Sequence, residues 1–299
     1  MKKLFTIVSL IVITALALSA CGGGGTQAED LLAQIMERGT LIVSTDPNYE
    51  PQSFLNTEGV RPADTKCASD QLTATEMQGF DVSVAVEIGN RLGVETCFAT
   101  PSWDLITAGS WADKWDISVG SMTIKPSRQE VLYFTTPYYY YVAIAAALAD
   151  SDLDSIDDLS GQAVCMGAAT TYEDWANGVL DIPAEDIYYQ PPANMTTVPL
   201  ETDQECAQAL AAGRTDFVAY VTAEPVVDSN IANGLPVKKI GEPLYLEKLA
   251  IAIDKSASLP TATLLEKLNE IVQAMHDDGT LSTLSLEWYG LDLTKAPGE

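Results

Sequence analysis

DISVGSMTIKPSRQEVLYFTTPYYYY, Asp116 to Tyr141, is the stretch whose chemistry organises the chain. It opens as a short strand (Ile117, Val119) and drops into small polar residues, Ser118, Gly120, Ser121 and Thr123. Pro126 follows, suited to the first turn of a helix because its missing N–H would be unpaired there anyway. Arg128 falls inside that turn, and an aromatic strand closes the segment. Small hydroxyls at a strand end, free N–H groups at a helix start and one Arg describe a carboxylate receptor. The guanidinium offers two parallel donors, and the helix end adds positive potential. The plainer alternative is a surface Arg beside an ordinary strand–helix turn.

The stretch resembles the signature of family 3 extracellular solute-binding proteins, the amino-acid receptors of ABC importers, which reads D-x-x-x-x-G-M-T-I-T-P-E-R…V-x-F-S-x-P-Y-Y. In that family the Arg holds the substrate's α-carboxylate, assisted by residues five and seven positions earlier. Those positions here are Thr123 and Ser121. Lys125 departs from the pattern, standing where the family has a Thr that caps the helix. Lys cannot accept an N–H bond, so the cap is weaker or another group supplies it.

Working outward, AEDLLAQIMERG predicts a short amphipathic helix (Leu31, Leu32, Ile35, Met36) capped by Gly39 and followed by a strand, Leu41 to Ser44. Asp46 and Tyr49 lie in the loop after that strand, where ligands sit in doubly wound sheets. Residues 56–78 are polar and irregular, a long loop that needs tying down. GFDVSVAVEIGNRLG reads as a helix with apolar positions at Val82, Val86, Ile88 and Leu92, ended by Gly93, and is similar to a family segment. Trp103 follows Pro-Ser in a loop, while Trp111 and Trp115 read as packing.

Further on, SIDDLSGQAVCMGAATT, Ser155 to Thr171, resembles the family's second-lobe strand, with Thr170 and Thr171 at the start of a helix TYEDWANGVL. Thr202-Asp203-Gln204-Glu205 has the pattern of a capping box before the helix CAQALAAGR and a strand, Asp216 to Val221. Leu249 to Ile253 reads as a return strand. LLEKLNEIVQAMHDDGT then predicts a core-facing helix through Leu264, Leu268, Ile271 and Met275, with Gly279 as its stop. His276 sits near that helix's C-terminus, where it complements the dipole.

The resemblance spans about residues 31–290 and implies an α/β fold of two doubly wound lobes joined by a two-segment hinge, like type II periplasmic binding proteins. It places lobe 1 at 28–141 plus 248–290 and lobe 2 at 142–247, with 291–299 as a tail. Ligand would lie between the lobes. Arg128, Ser121 and Thr123 would hold its carboxylate, Thr170 and Thr171 would contact it from the far wall, Tyr49 and Trp103 would sandwich its side chain, and Asp46 would meet a cationic end. One departure bears on the ligand. The family places an Asp at the position of Val221 to receive the α-ammonium. Tyr220, Thr222 or Glu224 substitutes, or the ligand lacks an α-amine.

The chain begins MKKLFTIVSLIVITALALSAC. Lys2 and Lys3, the apolar run Leu4 to Leu18 and the small residues before Cys21 form a signal peptide over 1–20. The run is too short to span a bilayer. Cys21 resembles a lipobox cysteine, the lipidation site that would anchor the chain to the outer face of the cytoplasmic membrane, with 21–27 as a Gly-rich tether. A net charge of −26 over 299 residues argues against nucleic-acid partners. Cys67, Cys97, Cys165 and Cys206 remain; four cysteines allow three pairings that sequence alone does not separate. The lobe division implied by the resemblance favours Cys67–Cys97 and Cys165–Cys206. A metal site is the competing reading, but there is no C-x-x-C and a single His.

The function expected is that of a substrate-binding lipoprotein of an ABC importer, capturing a small carboxylate-bearing solute, a polar or basic amino acid. Its partners would be that solute and the membrane permease, with the protein itself a monomer and no cofactor or metal. The alternatives are a non-amino-acid carboxylate in the same fold, and a cyclohexadienyl-type dehydratase with Lys125 or Glu224 as proton donor.

Overall fold

The computed structural model describes residues 28–296. The expected signal peptide, the lipidation site Cys21 and the Gly-rich tether lie outside the described residues, as do positions 297–299. Strands β1 (Thr40–Ser44), β2 (Asn48–Tyr49), β3 (Ser53–Leu55), β4 (Leu72–Thr73), β5 (Met77–Gln78) and β6 (Glu95–Ala99) precede β7 (Ile117–Thr123) and β8 (Leu132–Phe134). Then come β9 (Tyr139–Leu148), β10 (Ala163–Gly167), β11 (Thr196–Leu200), β12 (Ala219–Ala223) and β13 (Val237–Asp254). The helices are α1 (Leu31–Arg38), α2 (Phe80–Leu92), α3 (Trp103–Thr107), α4 (Pro126–Val131) and α5 (Thr171–Ala176). They continue with α6 (Asp203–Ala211), α7 (Glu224–Ala232), α8 (Ala262–Asp277) and α9 (Thr280–Tyr289).

Two α/β lobes share one sheet, ordered β11-β10-β12-β9-β13-β7-β1-β6-β4, with β8 on β13. β1 lies parallel to β6 and β7 at one end, and β10 parallel to β11 and β12 at the other. Between them β9 and β13 run antiparallel to each other along nearly their whole length. Among the described residues these are the only two strands on the sheet's path between its two parallel portions, so they are the joint between the lobes. β13 has 18 residues, with a register shift between Ile240 and Tyr245. The strand expected at Leu249–Ile253 is its last third.

Local chemistry explains the element ends. Asp30 caps α1 by accepting the Ala33 N–H, and Gly39 closes it in the left-handed region. α2 presents Phe80, Val84, Ile88 and Leu92 to the core. Phe80 there meets Tyr138, Tyr139 and Tyr289 in an aromatic cluster. The long loop at 56–78 is held by Cys67–Cys97 and by Arg61, which donates to the carbonyls of Gln71, Cys67 and Ala68. It is less irregular than expected, since β4 and β5 form within it. Cys165 on β10 is bonded to Cys206 on α6.

Four local expectations need correction. β12 begins at Ala219, not Asp216, because Asp216 is taken up by Arg214 in an exposed two-bond ion pair on the preceding turn. α5 stops at Ala176, with Gly178 in the left-handed region (φ 70°) directing the chain away. Trp103 opens a helix, α3, and is not in a loop. The capping box at Thr202 is half formed. Thr202 accepts the Glu205 N–H, but the Glu205 carboxylate accepts from Glu201.

Candidate functional site

The cleft between the lobes is lined by the strand ends and helix starts that the sequence singled out. Arg128, in α4, is only 4% exposed. Its guanidinium donates to two main-chain carbonyls, Thr123 at 3.2 Å and Ala169 at 3.3 Å. It also stands 5.4 Å over the Trp103 ring, a cation–π contact. Among the described residues it forms no side-chain ion pair. Burial pushes its pKa below the usual value, opposed first by the negative field of Glu247. A desolvated guanidinium presented this way is a strong receptor for a carboxylate.

α4 has no side-chain cap of its own, as Lys125 implied. Asp181 from the opposite wall supplies it, accepting the Ser127 N–H at 2.9 Å. Lys125 is drawn across the cleft as well, ion-paired with Asp174 and, at 3.5 Å, with Asp181. α4 and α5 have six residues each, so charge in the site comes mainly from side chains.

Ser121 and Thr123 both line the cleft, and each hydroxyl is already engaged. Ser121 donates to Asp81 at 2.6 Å and also meets the Tyr139 hydroxyl. Burial pushes Asp81 up to about 7 despite the hydroxyls of Ser121 and Tyr138. Ser121 and Ala169 both adopt left-handed backbone (φ 55° and 60°), strain of the kind that collects where a binding site fixes the chain. Thr123 donates to Glu247, and Thr171 reaches the same oxygen from the far wall at 2.6 Å. Thr170 is turned to the helix: it accepts from Glu173 and donates to the Gly167 carbonyl.

Tyr49 lies against the cleft with its hydroxyl 2.9 Å from that of Tyr172 and 3.2 Å from that of Tyr141. Asp46 closes a tight turn by accepting the Asn48 N–H at 2.8 Å, and burial raises its pKa. The cavity enclosed by these groups is about 40 Å³, room for a few water molecules.

Sequence reasoning missed Glu247 and Asp203. Glu247 is 1% exposed in β13, and burial raises its pKa. An acid inside the apolar run LYLEKLAIAI was the available signal. Asp203 was read only as part of a cap. Its carboxylate accepts the Gly167 N–H at 2.7 Å and the Thr222 hydroxyl at 3.0 Å. Burial pushes it up to about 7. Gly167 has to be Gly, since a Cβ there would stand 2.6 Å from Asp203 Oδ1. Val221 is fully buried and apolar.

Residues 41–291 match the family model described as bacterial extracellular solute-binding proteins, family 3. The L-cystine-binding protein TcyJ of Escherichia coli K12 is 28% identical over 272 residues, covering 89% of each chain. A solved ancestral arginine-binding protein bound to arginine is similar at TM-score 0.68 and 27% identity, over 84% of this chain and 99% of that one. An ancestral amino-acid-binding protein described as a precursor of cyclohexadienyl dehydratase matches at TM-score 0.69 and 27% identity, over 86% of this chain and 99% of that one.

Proposed function

The chain belongs to the family 3 bacterial extracellular solute-binding proteins, and from that premise we propose that it captures a polar or basic amino acid and delivers it to an ABC importer. The observation that carries the reading is Arg128, a buried guanidinium whose hydrogen bonds go to two carbonyls and whose chemistry calls for a carboxylate. Asp46, Glu201, Asp203 and Glu247 line the same cavity with that single Arg, a balance that favours a ligand bearing a cation. Tyr49 and Trp103 flank the side chain in this reading, and Asp46 meets its far end.

Residues 28–141 with 248–290 move against 142–247, bending where β9 and β13 pass from one lobe to the other. Residues of both lobes line the cavity, so the lobes part to admit the solute and close on it. The closed form presents one surface to a membrane permease. The protein acts as a monomer tethered through acylated Cys21 to the outer face of the cytoplasmic membrane. A dehydratase is not favoured. Lys125 is committed to Asp174 and Asp181, and Glu224 is paired with Lys239 away from the cleft.

A thermal-shift screen against the common amino acids, L-cystine and simple carboxylates tests the reading. Ligand at a hundred times its Kd adds about 2.7 kcal/mol of stability. A selective rise with a polar or basic amino acid is expected; no rise with any amino acid contradicts it.

A further inference from the structure

A buried carboxylate is costly unless a cation or a full set of donors meets it. Glu247 meets these conditions only in part. Its Oε1 takes the hydroxyls of Thr123 and Thr171, while Oε2 has no hydrogen-bond partner. The Tyr172 hydroxyl acts on this carboxylate but is engaged with the hydroxyls of Tyr49 and Tyr141. Arg128 is the cation that stabilises the charge, yet no salt bridge joins the two among the described residues. The flanking strand residues Leu246, Leu249 and Ile251 are buried and apolar, so packing gives no reason for an acid here.

Strand register relates Glu247 to the position that lacks an acid. Glu247 pairs with Tyr141 of β9, and Val221 of β12 pairs with Ala145. Residues 141 and 145 are an even number apart, so Glu247 and Val221 share one face of the sheet. Asp203 is the other buried acid of the cleft, but its two oxygens are occupied by Gly167 and Thr222 and explain a structural role.

We infer that Glu247 receives the α-ammonium of the ligand while Arg128 holds its carboxylate, so that β13 supplies the acid missing from β12. Thr123 and Thr171, one from each wall, then aim the Glu247 carboxylate, and it is Glu247 that separates amino acids from carboxylates without an amine. The inference rests on the carboxylate-receptor reading of Arg128.

Calorimetric titration of the purified protein tests it with two pairs of probes. These are L-arginine with 5-guanidinopentanoate, and L-cystine with 3,3′-dithiodipropionate, the first pair differing only in one α-amine and the second only in two. The wild type binds at least one amino acid about a hundredfold tighter than its amine-free counterpart. Glu247→Gln keeps both hydroxyl contacts but removes the charge. It lowers that ratio by about tenfold or more without weakening the amine-free ligand. A merely structural role would weaken both members of a pair together. An unchanged ratio in Glu247→Gln overturns the inference. Equal wild-type affinity for both members overturns it too but leaves the Arg128 reading standing. Wild-type binding of neither amino acid contradicts the proposed function itself for these solutes, and the inference with it.

Discussion

The hydroxyl of Thr171 donates to Glu247 at 2.6 Å, linking the far wall of the cleft to the strand that joins the lobes. Thr123 donates to the same oxygen from the near wall. One buried carboxylate thus ties together three separate parts of the chain. Thr123, expected at the solute's carboxylate, and Thr171, expected to contact the solute from the far wall, both donate to a side chain of the protein. In the proposed reading this leaves Arg128 as the chief group for the solute's carboxylate.

The cross-cleft contacts of α4 should govern how long a ligand stays. Asp181→Ala removes the acceptor of the Ser127 N–H and one partner of Lys125. Loss of such a cap costs about 1 kcal/mol, which corresponds to about fivefold in affinity. Stopped-flow measurement should show most of it as faster release. Added salt should shrink the difference, because these pairs are partly exposed. An unchanged release rate would remove Asp181 from the closure.

Each disulfide should contribute by restricting the unfolded chain. Cys165 and Cys206 are 41 residues apart, a loop for which the chain-entropy model gives about 4 kcal/mol. Replacing both with Ser should lower the urea midpoint accordingly. Ligand affinity should stay within about threefold. A large loss of binding at full folding would show that the bond also positions the Thr170–Thr171 turn.

Stability should respond to pH through buried carboxyls. Asp81 is held at about 7 chiefly by burial, against about 4 in an unfolded chain. Between these values the folded state keeps a proton that the unfolded chain has released. Asp81 therefore lowers stability as pH rises through that window, and the effect levels off above it. Asp203, also at about 7, acts in the same sense. Asp81→Asn should gain on the wild type in melting temperature from pH 4 to pH 7. A constant difference between the two across that range would contradict the assignment.

Much of the fold was legible because its signals are local. Gly39, Gly93 and Pro126 punctuate helices for backbone reasons that hold anywhere, and each does so here. The Arg128 stretch stood out through its resemblance to the family signature, since small hydroxyls and a guanidinium at a strand–helix turn also suit an ordinary surface turn. The rest depends on residues distant in sequence. Nothing near Lys125 reveals that Asp181 caps its helix, and nothing near Thr202 reveals that Asp203 serves Gly167 and Thr222. Val221 announced a missing acid, but only strand register places Glu247 on the same face.

Titration of one amino-acid ligand into the wild type and Arg128→Ala, side by side, tests the central claim most directly. Truncating one partner of a buried, hydrogen-bonded charge pair costs about 2–5 kcal/mol, so affinity should fall by about thirtyfold to several thousandfold. The ligand-free variant should still unfold cooperatively. Affinity retained within about threefold would contradict the assignment of Arg128 as the carboxylate receptor.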